Sequence, residues 1–144
     1  MNPYQFNLSL RIKHPERDLS DLYAKLSMVS MLKPKRIWKV GDVRIAQDGR
    51  TLEGQYIESY CYFSIFNEPQ DSNAESLSST LDRVTKALLP YKADLDNHTN
   101  SGGTLEFFVG LYVNANSGDE FSPILIKTVG DLGIYISLDI YPSR

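Results

Sequence analysis

Residues 4–12 of the chain, YQFNLSLRI, alternate between apolar and polar side chains over their whole length. Successive side chains leave a β-strand on opposite faces, so the alternation predicts a strand with one face in the core and the other in water. The apolar set is Tyr4, Phe6, Leu8, Leu10 and Ile12. Because Pro15 cannot donate to a ladder and Asp18 is a favoured capping residue, we expect the strand to end at HPERD and a helix to follow.

Apolar residues at helical spacing predict three helices. The first carries its apolar stripe on Leu19, Leu22, Tyr23, Leu26 and Val29. The second begins after a cap on Ser72 or Asn73, buries Leu77, Leu81, Val84 and Leu88, and ends near Pro90. The third is short, residues 123–132, with Ser122 as its cap, Pro123 in its first turn and Gly133 closing it. The polar segment 91–104 is expected to be a loop, in which Leu95 hints at a short continuation of the second helix.

Further strands are expected on both sides of the second helix. Residues 36–45 favour a strand or an extended arm, followed by a turn at Asp48–Gly49. Residues 56–66, YIESYCYFSIF, are typical of a central strand because they are rich in aromatic and β-branched residues. Two more strands are expected after the second helix, so that three later strands each have one core face. These faces are Ile57, Cys61, Phe63 and Ile65 in the strand of residues 56–66; Leu105, Phe107, Val109, Leu111 and Val113 in the next strand; and Ile134, Ile136, Leu138 and Ile140 in the last.

The resulting order, β-α-β-β-α-β-α-β, predicts one α+β domain spanning residues 1–144. We expect a mainly antiparallel sheet with two main helices and a third short helix packed on one face. The first six elements have the order of the ferredoxin-like split βαβ unit. No internal repeat or long linker interrupts this pattern.

Composition excludes several classes of function. A net charge of −3 provides little attraction for a phosphate backbone, so we expect no nucleic-acid partner. The single Cys61 cannot form an intramolecular disulfide, and the chain has no Cys/His cluster with metal-ligand spacing, so neither a metal nor another cofactor is expected. Without a leader-like N-terminus or an apolar run of about 18 residues, the sequence favours a cytoplasmic protein without a membrane partner.

The second face of the predicted sheet is rich in aromatic and acidic side chains. Its candidate binding residues are Tyr56, Glu58, Tyr60, Tyr62, Glu106, Phe108, Tyr112, Tyr135, Asp139 and Tyr141. Three interpretations remain open: aromatic pairs that only stabilise the sheet, a platform for a binding partner, or the contact between two copies of the chain. The protein is accordingly expected to be a monomer or a homodimer.

No catalytic set is assigned. His14 precedes Pro15 in a turn and His98 lies in a polar segment, so both are expected to be solvated, and Cys61 is expected to be a buried, inert thiol. Glu58, Glu106 and Asp139 would suit an acid/base pair only if they converge. A secondary basic patch on Lys35, Arg36, Trp38 and Lys39 suits either a phosphate group or, more simply, a guarded sheet edge.

Three stretches resemble a bacterial family known as domain of unknown function 4279 (DUF4279). They are FNLSLRIKHPERDLSDLYAKL, KPKRIWKVGD and the closing SPILIKTVGDLGIYISLDIY, which together extend over nearly the whole chain. The resemblance implies a small cytoplasmic α+β protein without an assigned enzymatic activity, and an immunity role against a bacterial toxin by analogy. We therefore expect a non-catalytic protein-binding domain. The alternative is a small-molecule or carbohydrate site on the tyrosine-rich face, which would be hydrolytic if its carboxylates act as a pair.

Overall fold

The structure is a computed structural model and describes residues 2–142. It has mixed α+β content with a mainly antiparallel sheet. The strands are β1 (Gln5–His14), β2 (Lys33–Trp38), β3 (Val43–Ile45), β4 (Thr51–Gln55), β5 (Ser59–Ser64), β6 (Gln70–Asp71), β7 (Thr104–Val113) and β8 (Ile134–Pro142). The helices are α1 (Ser20–Leu26), α2 (Leu77–Leu88), α3 (Lys92–Asn100) and α4 (Pro123–Asp131), with a 3-10 turn at Leu89–Tyr91.

The main sheet has the strand order β2-β5-β1-β7-β8, and the short β6 also pairs with β1. β1 is antiparallel to both β5 and β7, and β2 is antiparallel to β5. Strands β1, β2, β5 and β7 with the helices between them therefore have the order and directions of the ferredoxin-like split βαβ unit. Helix α4 and β8 extend this unit, because β8 joins β7 in parallel through a helical crossover. β3 and β4 form a separate two-stranded arm.

The core lies between the sheet and the helices. In β1 the apolar residues predicted from the alternation are buried, and the polar residues between them stay partly exposed. Phe6, Phe63 and Phe107, from β1, β5 and β7, are fully buried. The helices contribute Leu26, Leu81, Val84, Leu88, Leu95, Leu125, Val129 and Leu132 to the same core. One face of the sheet is thus covered by helices, as the sequence predicts.

The start of α2 differs from its predicted position. Its N-cap is Ser76, whose hydroxyl accepts from the Ser79 amide at 3.2 Å, and not Ser72 or Asn73. Residues 70–71 form β6 beside β1, which fixes this segment in the sheet before the helix begins. The Ser72 hydroxyl instead accepts a hydrogen bond from the Tyr4 amide at 2.9 Å.

The polar segment after Pro90 is a helix and not a loop. Pro90 occupies the start of the 3-10 turn, where its missing N–H costs nothing, and α3 follows directly. Leu95 and His98 point into the core, so the expectation of a solvated His98 is wrong. His14 is buried as well, with its ring 5.6 Å from that of His98. A helix with only these two buried positions lacks a clear apolar stripe in the sequence, which is why the pattern predicted a loop.

Two predicted core faces are corrected. Ile57 is 89% exposed because β5 begins only at Ser59, leaving Ile57 in the connection from the arm; Cys61, Phe63 and Ile65 are buried as predicted. In β8 only Ile134 is buried, whereas Ile136, Leu138 and Ile140 are exposed. β8 is an edge strand, and the helices cover only the end of it that follows Gly133.

Candidate functional site

The face of the sheet opposite the helices is the candidate site, and we call it the open face. Adjacent strands are in register there, so their outward side chains form continuous rows across the sheet. The outward residues include Arg36 and Trp38 in β2; Tyr60 and Tyr62 in β5; Asn7, Arg11 and Lys13 in β1; Glu106, Phe108, Gly110 and Tyr112 in β7; and Tyr135, Ser137, Asp139 and Tyr141 in β8.

An aromatic row lies at the β2–β5 end of the open face. Trp38 stacks on Tyr56 with ring centroids 4.2 Å apart and an interplanar angle of 11°. Trp38 also contacts Tyr60, with ring centroids 4.7 Å apart, and Tyr60 in turn lies 5.8 Å from Tyr62. Tyr56 is not in β5 as predicted; it lies in the connection from the arm, where its hydroxyl bonds both the amide and the carbonyl of Ile45. The row therefore attaches the arm to the sheet.

A charged and aromatic centre follows on β1 and β7. The Arg11 guanidinium lies 3.7 Å from the centroid of the Phe108 ring and 4.0 Å from Glu106. Glu106 also accepts a hydrogen bond from the Ser137 hydroxyl at 2.7 Å. Lys13 lies 3.8 Å from Glu58. Arg11 therefore combines a cation–π contact with Phe108 and a long ion pair with Glu106.

A second aromatic pair lies at the β7–β8 end of the open face. Tyr112 and Tyr141 stack with centroids 5.5 Å apart, over the strand position of Gly110. Asn7 donates to the Tyr112 hydroxyl at 3.1 Å, and the Tyr141 hydroxyl donates to Asp139 at 3.0 Å. A glycine within a strand leaves room that neighbouring aromatic rings cover, and the two rings occupy that room here.

Two tyrosine hydroxyls of the open face, those of Tyr60 and Tyr141, are held in their protonated form. Burial raises the pKa of Tyr60 to about 12. The hydrogen bond to Asp139 raises the pKa of Tyr141. These groups therefore act as neutral hydrogen-bonding and stacking surface near neutral pH, not as bases. On the opposite side of β5, burial raises the pKa of the Cys61 thiol to about 12, in agreement with the predicted inert thiol.

The structure brings most of the predicted site residues together. Tyr60, Tyr62, Glu106, Phe108, Tyr112, Tyr135, Asp139 and Tyr141 share the open face, while Tyr56 and Glu58 lie at its margin just before β5. Tyr135 is the most accessible of the aromatic residues, at 69% exposure. The sequence did not assign Arg11 and Lys13 to the site. The alternation in the first strand predicts that Arg11 and Lys13 lie on its polar face. The sequence does not predict that this strand lies between β5 and β7.

Glu106 and Asp139 do not converge as a hydrolytic site requires. In the ladder between β7 and β8, Glu106 lies opposite Tyr135 and Asp139 lies opposite Gly110. The two acidic residues are therefore offset by roughly 13 Å along the strands. Paired carboxylates of glycosidases lie about 5–9.5 Å apart. Glu106, Glu58 and Asp139 also have separate partners in Arg11, Lys13 and Tyr141.

The basic patch lies at an edge of the sheet. Lys35, Arg36 and Trp38 belong to β2, the strand at the end opposite β8, and Lys39 follows it. Arg36 donates to the carbonyl of Ile45 at 2.7 Å and lies over the Trp38 ring at 5.0 Å. Lysine and proline on such a strand discourage pairing with another chain, so the placement agrees with the guarded-edge interpretation.

Residues 2–142 contain no helix that is both long and apolar enough to cross a membrane. Within that same range, no group of three or more His, Cys, Asp or Glu side chains is arranged to hold a metal ion. Comparison of the chain with protein-family models, with curated proteins and with solved structures finds no match in any of the three. The resemblance to the family known as domain of unknown function 4279 therefore stays an expectation from the sequence.

Proposed function

We propose that the protein is a non-catalytic binding domain that recognises a protein partner through the open face of its sheet. The observation that carries this proposal is the pair of aromatic groups at the two ends of the open face, one around Trp38 and one at Tyr112 and Tyr141, left without a covering helix and with charges of both signs between them. Aromatic residues and arginine are enriched at the centres of protein interfaces, because they bury a large rigid area and carry polar tips.

Charge balance on the open face favours a protein over a nucleic acid as the partner. Arg11, Lys13 and Arg36 are matched by Glu58, Glu106 and Asp139. A phosphate backbone needs an excess of cations, whereas a folded protein surface presents charges of both signs. The immunity-type role that the resemblance implies is one form of this function, in which the partner is a toxin domain.

The alternative, a small-molecule or carbohydrate site, has less support. The carboxylates that it requires are separated, and Trp38 already uses its ring in contacts with Tyr56 and Tyr60. A ligand could stack on Trp38 only after displacing one of these rings. We therefore propose the protein-binding function and not the small-molecule site.

Co-expression with the protein encoded beside this chain, followed by affinity purification, tests the proposal. We expect the wild type to retain that protein and the double variant Tyr62→Ala/Tyr135→Ala to lose it, because both rings lie on the open face. Met28→Ala is the matched control, since Met28 is 81% exposed and lies beyond α1, away from the open face.

For an immunity role, expression of the neighbouring protein alone should arrest growth. The wild-type chain and Met28→Ala should restore growth, whereas the double variant should not. Circular dichroism of the variants checks that both remain folded. The proposal is contradicted if the neighbouring protein is not retained by the wild type, or if it is retained equally by the folded double variant.

A further inference from the structure

The two edges of the main sheet differ in chemistry. The edge strand β2 reads KPKRIW, carries Pro34, and has an irregular register between Pro34 and Arg36. These features prevent another strand from pairing with it. The other edge strand, β8, has neither Lys nor Arg, reaches its proline only at Pro142, and holds Asp139 as its one charged residue. One edge is thus guarded against strand addition and the other is not.

The unguarded edge is also apolar on its helix side. Ile136, Leu138 and Ile140 are 41%, 48% and 62% exposed, although their neighbours Phe107 and Val109 on β7 are fully buried. The apolar surface continues from Leu138 and Ile140 into a groove of about 420 Å³ that Leu111, Val113 and Phe121 also line. Exposed aliphatic side chains beside an open strand edge are unusual on a monomer and mark a contact surface.

The sequence of β8 indicates what covers this edge. Residues 135–141, YISLDIY, read nearly the same in both directions about Leu138: Ser137 and Asp139 flank it, then Ile136 and Ile140, then Tyr135 and Tyr141. An interface with two-fold symmetry requires that a residue i contact j while j contacts i. A strand with this mirror pattern meets that condition when it pairs antiparallel with a second copy of itself.

We propose that β8 pairs antiparallel with β8 of a second copy of this chain, in a register centred on Leu138, to form a homodimer with one continuous sheet. Leu138 then faces Leu138 of the second copy, and each Ile136 faces an Ile140. On the open face each Tyr135 meets a Tyr141. This register places each Asp139 opposite a Ser137, so the two carboxylates are not directly opposed.

The proposed pairing of two β8 strands does not depend on the proposed binding function. It would, however, determine how the open faces of the two copies are arranged. A two-fold axis that relates antiparallel neighbours in one sheet is perpendicular to the sheet, so both open faces lie on the same side. The dimer would present two aromatic surfaces side by side. A partner with two equivalent sites, or two partner molecules, could bind there with the gain expected of a divalent surface.

Sedimentation equilibrium of the full chain tests the dimer. The wild type should have twice the mass of the 16.3 kDa chain, and Leu138→Lys should have the mass of the monomer. The stem of the lysine can lie along the half-exposed site, so this variant should remain folded, which circular dichroism checks. Ile57→Lys, at an exposed position outside β8, should remain dimeric. A monomeric wild type, or a folded Leu138→Lys variant that stays dimeric, would overturn the proposal.

Single cysteines test the register. Residues directly opposite in an antiparallel pair have Cα atoms about 4.5–5.5 Å apart, within disulfide range. Leu138→Cys should therefore form an intermolecular disulfide under mild oxidation. Ile136→Cys should not, because the two copies of that residue are offset by roughly 13 Å. The native Cys61 is fully buried and does not contribute. Equal cross-linking of both variants, or none by Leu138→Cys, would rule out the proposed register.

Discussion

The Tyr4 hydroxyl joins the first strand to the start of the second helix. It accepts a hydrogen bond from the amide of Leu77 at 3.0 Å and donates to Asp119 at 2.9 Å. Asp119 also accepts from the amide and the hydroxyl of Ser78. Burial is the main cause that raises the pKa of Tyr4 to about 12, so the hydroxyl remains a donor at any physiological pH. One side chain thereby satisfies a free helix amide and orients the carboxylate that caps the same helix.

Replacing Tyr4 with phenylalanine should lower the free energy of unfolding by about 1–3 kcal/mol, because the buried Leu77 amide then lacks its partner. Urea denaturation followed by circular dichroism measures this loss. Tyr135→Phe is the control; its side chain is largely exposed, and the change should be within about 0.5 kcal/mol. Equal stability of Tyr4→Phe and the wild type would show that water replaces the hydroxyl.

His98 is a buried titratable group with a defined partner. Its Nε2 lies 3.1 Å from the Thr104 carbonyl, which identifies Nε2 as the protonated nitrogen of the neutral ring. Burial is the main cause that lowers the pKa of His98 below the ordinary 6.5, and the nearby His14 and Arg17 act in the same direction. The folded protein therefore holds the neutral form more strongly than the unfolded chain does.

The pH dependence of stability should reflect this shift. A group whose folded pKa is lowered contributes fully above its unfolded pKa, and the contribution is lost as the pH falls through the folded value. We expect the free energy of unfolding to fall as the pH decreases below the ordinary histidine pKa of 6.5, and to fall less in His98→Gln, which has no imidazole to titrate. Urea titrations at several pH values measure both slopes, and parallel curves would contradict this origin.

At the scale of the element, α3 ends in a close contact that its sequence does not reveal. A Cβ placed on Gly103 would overlap the imidazole of His98. Neither group can move freely, because His98 is buried and Gly103 is itself buried just before β7. Gly130 in α4 offers the contrast, since a Cβ built there has no atom within 4 Å apart from its chain neighbours and the backbone of its own helix.

The two glycines should respond in opposite directions to alanine. Gly103→Ala should lower the free energy of unfolding by about 1–3 kcal/mol through overpacking against His98. Gly130→Ala should raise it by about 0.5–1 kcal/mol, because alanine costs less entropy inside an exposed helix. Thermal and urea denaturation of the two variants side by side provide the comparison; a stabilised Gly103→Ala would show that the His98 ring shifts easily.

For the whole molecule, the arm of β3 and β4 is the part with the fewest buried residues. Every residue from 41 to 45 and from 47 to 51 is exposed, while the strands on either side of the arm belong to the main sheet. The arm is attached through Arg36 and Tyr56, which bond the backbone of Ile45. Segments with little buried area open locally at low cost in free energy.

Limited trypsin digestion should therefore cut first after Arg44 or Arg50 in the arm. Because β2 and β5 remain paired in the main sheet on either side of the cut, the two fragments should stay associated and elute together. Mass spectrometry of early time points identifies the cut, and size-exclusion chromatography follows the association. First cuts at Lys86 or Lys127 within the helices would show that the arm is the more protected part.

The sequence by itself determined the local structure wherever one face of an element meets the core. The alternation of β1 and β7, the stripe of α2 and the Ser122–Pro123 start of α4 predict elements that the structure confirms. These patterns arise from burial and capping, which act over a few neighbouring residues. They were enough to predict the mainly antiparallel α+β class.

Only the tertiary structure decided which faces are covered. The alternation in β8 correctly groups Ile136, Leu138 and Ile140 on one face, yet they are exposed, since β8 lies at the edge and the helices cover only its beginning. Arg11 likewise became part of the open face only because β1 lies between β5 and β7. A period of two in the sequence identifies the residues that share one face of a strand. The element that covers this face comes from a distant part of the sequence. Whether that element reaches the face depends on the place of the strand in the sheet.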